Sequence, residues 1–200
     1  FPSTTLFRST KCCHKKLPIA YPVVEIGMGI LFIFNVQFLI SNDQLNWISV
    51  LLSLIIVVLL VFSAVFDWKY MILPDFSTII LIIIAFLGVF FDELNIIPYL
   101  LSALIGSGFL LILNLITKGK GMGMGDVKFA LFMGLFLGYP KIIVAFYVAF
   151  IIGAFYGLFL MIFKKAKKKK QVPFGPFLIL GTMVAWWWGE LIINLVYSII

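Results

Sequence analysis

The chain is 200 residues long, 64% hydrophobic and 12% charged, with a formal net charge of +7. Its mean hydropathy of +1.19 excludes an ordinary water-soluble domain, and its continuous runs rich in Ile, Leu and Phe exclude a β-barrel, whose strands alternate. Basic loops account for the positive charge of such a chain, so no nucleic-acid partner is expected.

In chain order, residues 1–20 carry Arg8, Lys11, His14, Lys15 and Lys16. They read as a basic cytoplasmic segment ahead of a membrane domain spanning 21–200. They contain no apolar core of a signal peptide, and a start at Phe1 reads as a fragment or a processed product. The two cysteines, Cys12 and Cys13, are too few for a four-ligand structural zinc site. Tyr21-Pro22 leads into a first helix, Val23 to about Ile40. Glu25 near its start is a helix-start acid or a structural partner for a basic residue. A second helix covers Trp47–Phe66 and ends at Asp67. In the following loop Pro74 stops any continuation, and Asp75 is placed to cap the third helix, Phe76–Phe91.

The acidic turn Asp92-Glu93 precedes a fourth helix, Ile97–Thr117, whose Gly106-Ser107-Gly108 offers a face for close packing. Then comes the glycine-rich stretch 118–125 and Asp126. The apolar run from there to Gly138 is only about 18 Å long at helical rise, too short to cross a bilayer unaided. Tyr139-Pro140-Lys141 breaks the chain before a helix at Ile142–Phe163, where Gly153 and Gly157 are spaced for packing. A lysine run at 164–170 suits a solvated loop or anionic headgroups. The last segment opens at Phe174-Gly175-Pro176, and Trp186-Trp187-Trp188 suits a membrane interface. The predicted fold class is all-α: a polytopic transmembrane bundle of about six full spans, plus one short helix after the glycine-rich loop.

Orientation follows from counting. With residues 1–20 inside and seven alternating segments, 14 of the 15 basic residues face the cytoplasm, and Lys141 is the exception. The same assignment puts Asp67, Asp75 and Asp126 on the cytoplasmic side, and Asp43, Asp92, Glu93 and Glu190 on the other.

Asp67 and Asp126 therefore stand at helix ends of equal depth. Two close carboxylates share a proton, so that one activates water while the other protonates a scissile carbonyl. Gly121, Gly123 and Gly125 permit left-handed backbone and close approach of another chain. On the residues alone, ordinary helix-end roles explain both acids equally well. Asp67 would pair with Lys69 or Lys128, and Asp126 would cap its own segment.

The motifs break that tie. Gly123-Met-Gly-Asp126, within Gly-Met-Gly-Met-Gly-Asp-Val-Lys, is a GxGD motif and resembles the type IV prepilin peptidases, a GxGD class of membrane aspartic proteases. Asp67-(six residues)-Pro74-Asp75, Tyr21-Pro-Val-Val-Glu25 and Pro173-Phe-Gly-Pro-Phe177 resemble that family's other motifs, in its order and spacing. The resemblance covers residue 10 to about 185.

It implies an aspartic endopeptidase of the cell membrane with Asp67 and Asp126 as the catalytic pair. Gly123, Gly125, Lys128, Pro74 and Asp75 would support the loop, and Glu25 would be structural. It further implies prepilin or pseudopilin substrates that lose a short basic leader at the cytoplasmic face, with membrane lipids around the enzyme. The peptidase step itself would need no cofactor.

Many members also carry two Cys-x-x-Cys pairs for zinc, linked to N-methylation with S-adenosylmethionine. Here Cys13 matches the last of those cysteines, Thr10 stands at its partner's position, and Cys12 is displaced. Residues 1–20 thus resemble a remnant of that region. Zinc and S-adenosylmethionine would belong only to a longer N-terminal region, and methyl transfer is in doubt for this chain. The competing functions are a proton- or cation-coupled transporter and an inactive pilus or secretion scaffold. No long run carries an acid or base at its centre, which argues against the transporter. An archaeal-type preflagellin peptidase fits the Tyr-Pro-x-Val-Glu element and the cysteine remnant less well.

Overall fold

The structure is a computed structural model describing residues 20–41, 46–91, 95–119, 122–163 and 173–199. The described residues form seven helices and no strand: α1 (Ala20–Ser41), α2 (Trp47–Tyr70), α3 (Asp75–Phe91), α4 (Ile96–Ile116), α5 (Met124–Leu137), α6 (Lys141–Phe163) and α7 (Gly175–Ile199). Five of them, α1, α2, α4, α6 and α7, are long and apolar enough to cross a membrane. The all-α polytopic class expected from the sequence is the one observed. The sixth full span expected at α3 has 17 residues, about 26 Å at helical rise, which is marginal for a ~30 Å core. The basic segment 1–19, with its cysteines, and the lysine run 164–170 lie outside the described residues.

The chain divides into two compact units, residues 1–58 and 59–200. The first holds α1 and the first half of α2. Asn35 Nδ2 there donates to Ser53 Oγ at 2.8 Å, and both side chains are buried. A polar clasp of this kind between apolar helices is worth about 1 kcal/mol. Glu25 falls in the second turn of α1, since the helix starts earlier than expected. Its side chain is exposed, and it forms no ion pair among the described residues.

The second unit is built around α5. Nine of its 14 residues are buried, among them Phe129, Phe132 and Met133, and it packs against α3, α4, α6 and α7. A helix of about 21 Å cannot satisfy a bilayer by length, but one enclosed by other helices has no need to. Gly134 makes the enclosure possible: a Cβ there would run into the backbone of Ala103 on α4. Gly181 does the same for α7 against the Ala145 carbonyl of α6. The packing faces read from glycine spacing are half right. Gly106 meets Ile142 and Phe146, whereas a Cβ at Gly108 or Gly157 would meet nothing within 4 Å.

The α2–α3 corner determines where Asp67 lies. Helix α2 continues one turn past Asp67, because the Met71 N–H closes on the Asp67 carbonyl at 2.8 Å and Met71 adopts φ 57°, the left-handed conformation that ends helices. The Pro74 carbonyl then accepts from Thr78 N–H at 3.3 Å and from the Ser77 hydroxyl at 3.0 Å. Ser77 and Ser63 share a buried 2.7 Å hydrogen bond that ties the start of α3 to the last turns of α2.

Candidate active site

Asp126 sits in the first turn of α5 and is 6% exposed. The loop before it is held by Asn114 Nδ2, which donates to the Met122 carbonyl at 2.6 Å. Asp126 Oδ2 accepts from the Gly123 N–H at 2.9 Å, and the Asp126 N–H approaches the Gly123 carbonyl at 3.2 Å. Asp126 thus makes the helix-start bond that its position suggests. It also lines a cavity of about 920 Å³ together with Asp67. The two roles coexist on one side chain, since the capping bond engages Oδ2.

Asp67 lies in the last turn of α2, 5% exposed. Its Oδ2 is buried with no hydrogen-bond partner among the described residues. Neither lysine considered from the sequence pairs with it. Lys69 lies over the Tyr70 ring, and Lys128 Nζ is 2.7 Å from Asp75 Oδ1. Asp75 itself opens α3 as a first-turn residue, so its carboxylate serves the ion pair.

Glycine enters the GxGD loop for a reason the sequence did not disclose. Gly123 is extended at φ −80°, and Gly125 is already helical, so neither needs left-handed backbone. Gly121 is outside the described residues. Gly125 is favoured by space, because a Cβ there would sit a tight 3.0 Å from the Leu73 Cβ.

Burial pushes the Asp126 carboxyl up to about 7, against the pull of the Gly123 N–H, and the neighbouring charge of Asp67 adds to the rise. Among the described residues no lysine offsets it, since Lys128 is engaged by Asp75. Asp126 is therefore poised to hold a proton near neutral pH in a site where Asp67 faces the same space.

Asp67, Pro74, Asp75, Gly123, Gly125, Asp126 and Lys128 all border the one cavity. The sequence did not assign the opposite wall to it: Phe150, Gly153 and Ala154 of α6, with Phe174 and Phe177 at the start of α7. A phenylalanine in an apolar helix carries no signal that distinguishes a cavity wall from a core. The Pro-Phe-Gly-Pro motif was the available pointer, and Phe174-Gly175 does abut the site.

The type IV leader peptidase family matches residues 54–158, which include Asp67, Asp126 and most of the cavity. Relatives named prepilin leader peptidase/N-methyltransferase are similar over most of the chain. The Bacillus subtilis (strain 168) protein is 31% identical over 198 residues, covering 94% of this chain and 75% of the relative. The Aeromonas hydrophila protein is 29% identical over 186 residues, covering 89% and 61%. The Legionella pneumophila protein is 28% identical over 190 residues, covering 91% and 63%. The chain thus spans between about three-fifths and three-quarters of these relatives. No solved structure matches it. The family match takes in half the chain, and a relative above 30% identity runs along nearly all of it, so the protein, with its buried aspartates on one cavity, belongs to the type IV leader peptidase family.

Proposed function

We propose that this protein is a membrane aspartic endopeptidase that removes the leader from type IV prepilins or pseudopilins, with Asp67 and Asp126 as its catalytic pair. The observation that carries the reading is the pair itself: two buried carboxylates on one cavity, in a member of a leader peptidase family, with no cation paired to Asp126 among the described residues.

The chemistry follows from where the proton rests. Asp126, pushed up to about 7, holds it as pH falls below that value. Asp67 as the carboxylate takes a proton from water as the water oxygen attacks the scissile carbonyl carbon. Asp126 gives its proton to the carbonyl oxygen. In collapse of the tetrahedral diol, Asp67 returns a proton to the leaving amine nitrogen while Asp126 recovers one from a diol hydroxyl. The C–N bond breaks, and the dyad returns to its one-proton state. Phe150, Phe174 and Phe177 give the cavity an apolar wall beside the carboxylates.

The reading also places the site at the cytoplasmic face of the inner or plasma membrane, on the strength of the lysine distribution. The substrates are membrane-inserted prepilins. Cys12 and Cys13, on which any zinc or S-adenosylmethionine function would depend, lie outside the described residues, and no step above runs through either group. The test is direct: purified protein in lipid nanodiscs is mixed with a prepilin, and leader release is followed by mass spectrometry. A single new N-terminus supports the reading, and an intact prepilin at stoichiometric enzyme rejects it.

A further inference from the structure

We propose that Gly175 is a positioning residue for Asp67, and that Leu73, wedged between Gly175 and Gly125, sets the spacing of the two carboxylates. The inference rests on the aspartic-peptidase reading above and adds residues to it. Helix α7 begins at Gly175. A Cβ built there would stand 2.5 Å from Asp67 Oδ2, 3.1 Å from Asp67 Cγ and 3.2 Å from Leu73 Cδ1. On its other side, Leu73 lies 3.0 Å from where a Cβ of Gly125 would be. Leu73 is itself 5% exposed.

The contacts therefore form one chain: Asp67, Gly175, Leu73, Gly125 and then Asp126, the next residue along. Each link is already at or inside normal contact distance once a single carbon is added. Interiors so packed transmit displacement rather than absorb it. Gly175 is not among the residues with positive φ, so its glycine is required by the Asp67 carboxylate and not by backbone conformation. The Gly175 backbone amide lies beside that carboxylate, and the carboxylate's Oδ2 makes no hydrogen bond among the described residues. Any side chain at 175 displaces the carboxylate from its place beside the amide.

The test is Gly175→Ala in the full chain, assayed for prepilin cleavage beside wild type, Asp67→Asn and Gly108→Ala. A displacement on the order of 1 Å at a reacting group costs about 100-fold in rate. Gly175→Ala is expected to lose about 100-fold in kcat with KM within about threefold, and to shift the alkaline limb of the pH profile. Gly108→Ala, with open space around it, keeps wild-type kcat. Adding Leu73→Ala to Gly175→Ala gives the α7 start room to retreat and recovers at least tenfold of the loss. Wild-type kcat and pH profile in Gly175→Ala overturn the proposal, as does a Leu73→Ala addition that only deepens the loss. If Gly175→Ala does not fold, Asp67→Ala/Gly175→Ala decides. Recovery of folded protein supports the contact, and equal loss of folding overturns it. An inactive wild type would reject the peptidase reading instead, and the same folding comparison would still read the Asp67–Gly175 contact.

Discussion

Lys128 Nζ stands 2.7 Å from Asp75 Oδ1, joining the first turn of α3 to the second turn of α5. The lysine two positions after Asp126 thereby neutralises the rim acid and leaves the buried pair without a cation among the described residues. A lysine turned inward would have fixed Asp126 in its ionised form and removed the shared proton. Both partners are about half exposed, at 49% and 62%, so the bond itself is weak. Lys128→Met is expected to cost about 0.5 kcal/mol in a denaturation measurement. A loss above about 2 kcal/mol would mean that this pair holds the two helices together.

Stability should depend on pH through Asp126. Its folded value of about 7 lies above the ordinary 3.8. A raised folded value means that the folded protein binds the proton more tightly than the unfolded chain. The resulting stability is complete below about pH 3.8 and is lost as pH rises through 7. Its size is at most on the order of 4 kcal/mol. Asp126→Asn cannot ionise, and its side-chain oxygen still accepts from Gly123. It should therefore melt above wild type at pH 8, with the gap closing towards pH 5. A variant less stable than wild type at pH 8 would contradict the burial argument. Cleavage by wild type should likewise fall as pH rises past about 7, when the general acid is lost.

The enclosure of α5 makes a second stability prediction. Gly134 is pressed against the Ala103 backbone, which cannot rotate away as a side chain would. Gly134→Val should destabilise by about 3 kcal/mol or more and lower the yield of folded protein. Gly157→Ala, with nothing within 4 Å, should fold as wild type does. Equal thermal stability of Gly134→Val and wild type would mean that α4 and α5 are not held this closely.

Much of this was legible in the sequence, for physical reasons. Long apolar runs bounded by charge and proline announce helices, and all seven segments fall within a few residues of their expected limits. Asp67 and Asp126 stood out because an acid near an apolar run is costly. What periodicity could not show is burial by other helices. α5 reads as a defective span and is the centre of its unit. The charge pairs were also hidden: Lys128 chooses Asp75, and Lys141 pairs with Glu190 at 2.8 Å, because partners 53 and 49 residues apart leave no local trace. Gly175 was visible only as part of a motif. Its contact with Asp67 depends on where α7 starts relative to α2, which is a tertiary fact.

The central claim is that two aspartates do the chemistry together, and single-site neutralisation tests it most directly. Asp67→Asn and Asp126→Asn, each shown to be folded by thermal melting in lipid, are compared with wild type for leader release from a prepilin. Loss of cleavage by at least about 1,000-fold in both, with prepilin binding retained, is the predicted result. Cleavage at near wild-type rate by either variant would contradict the account.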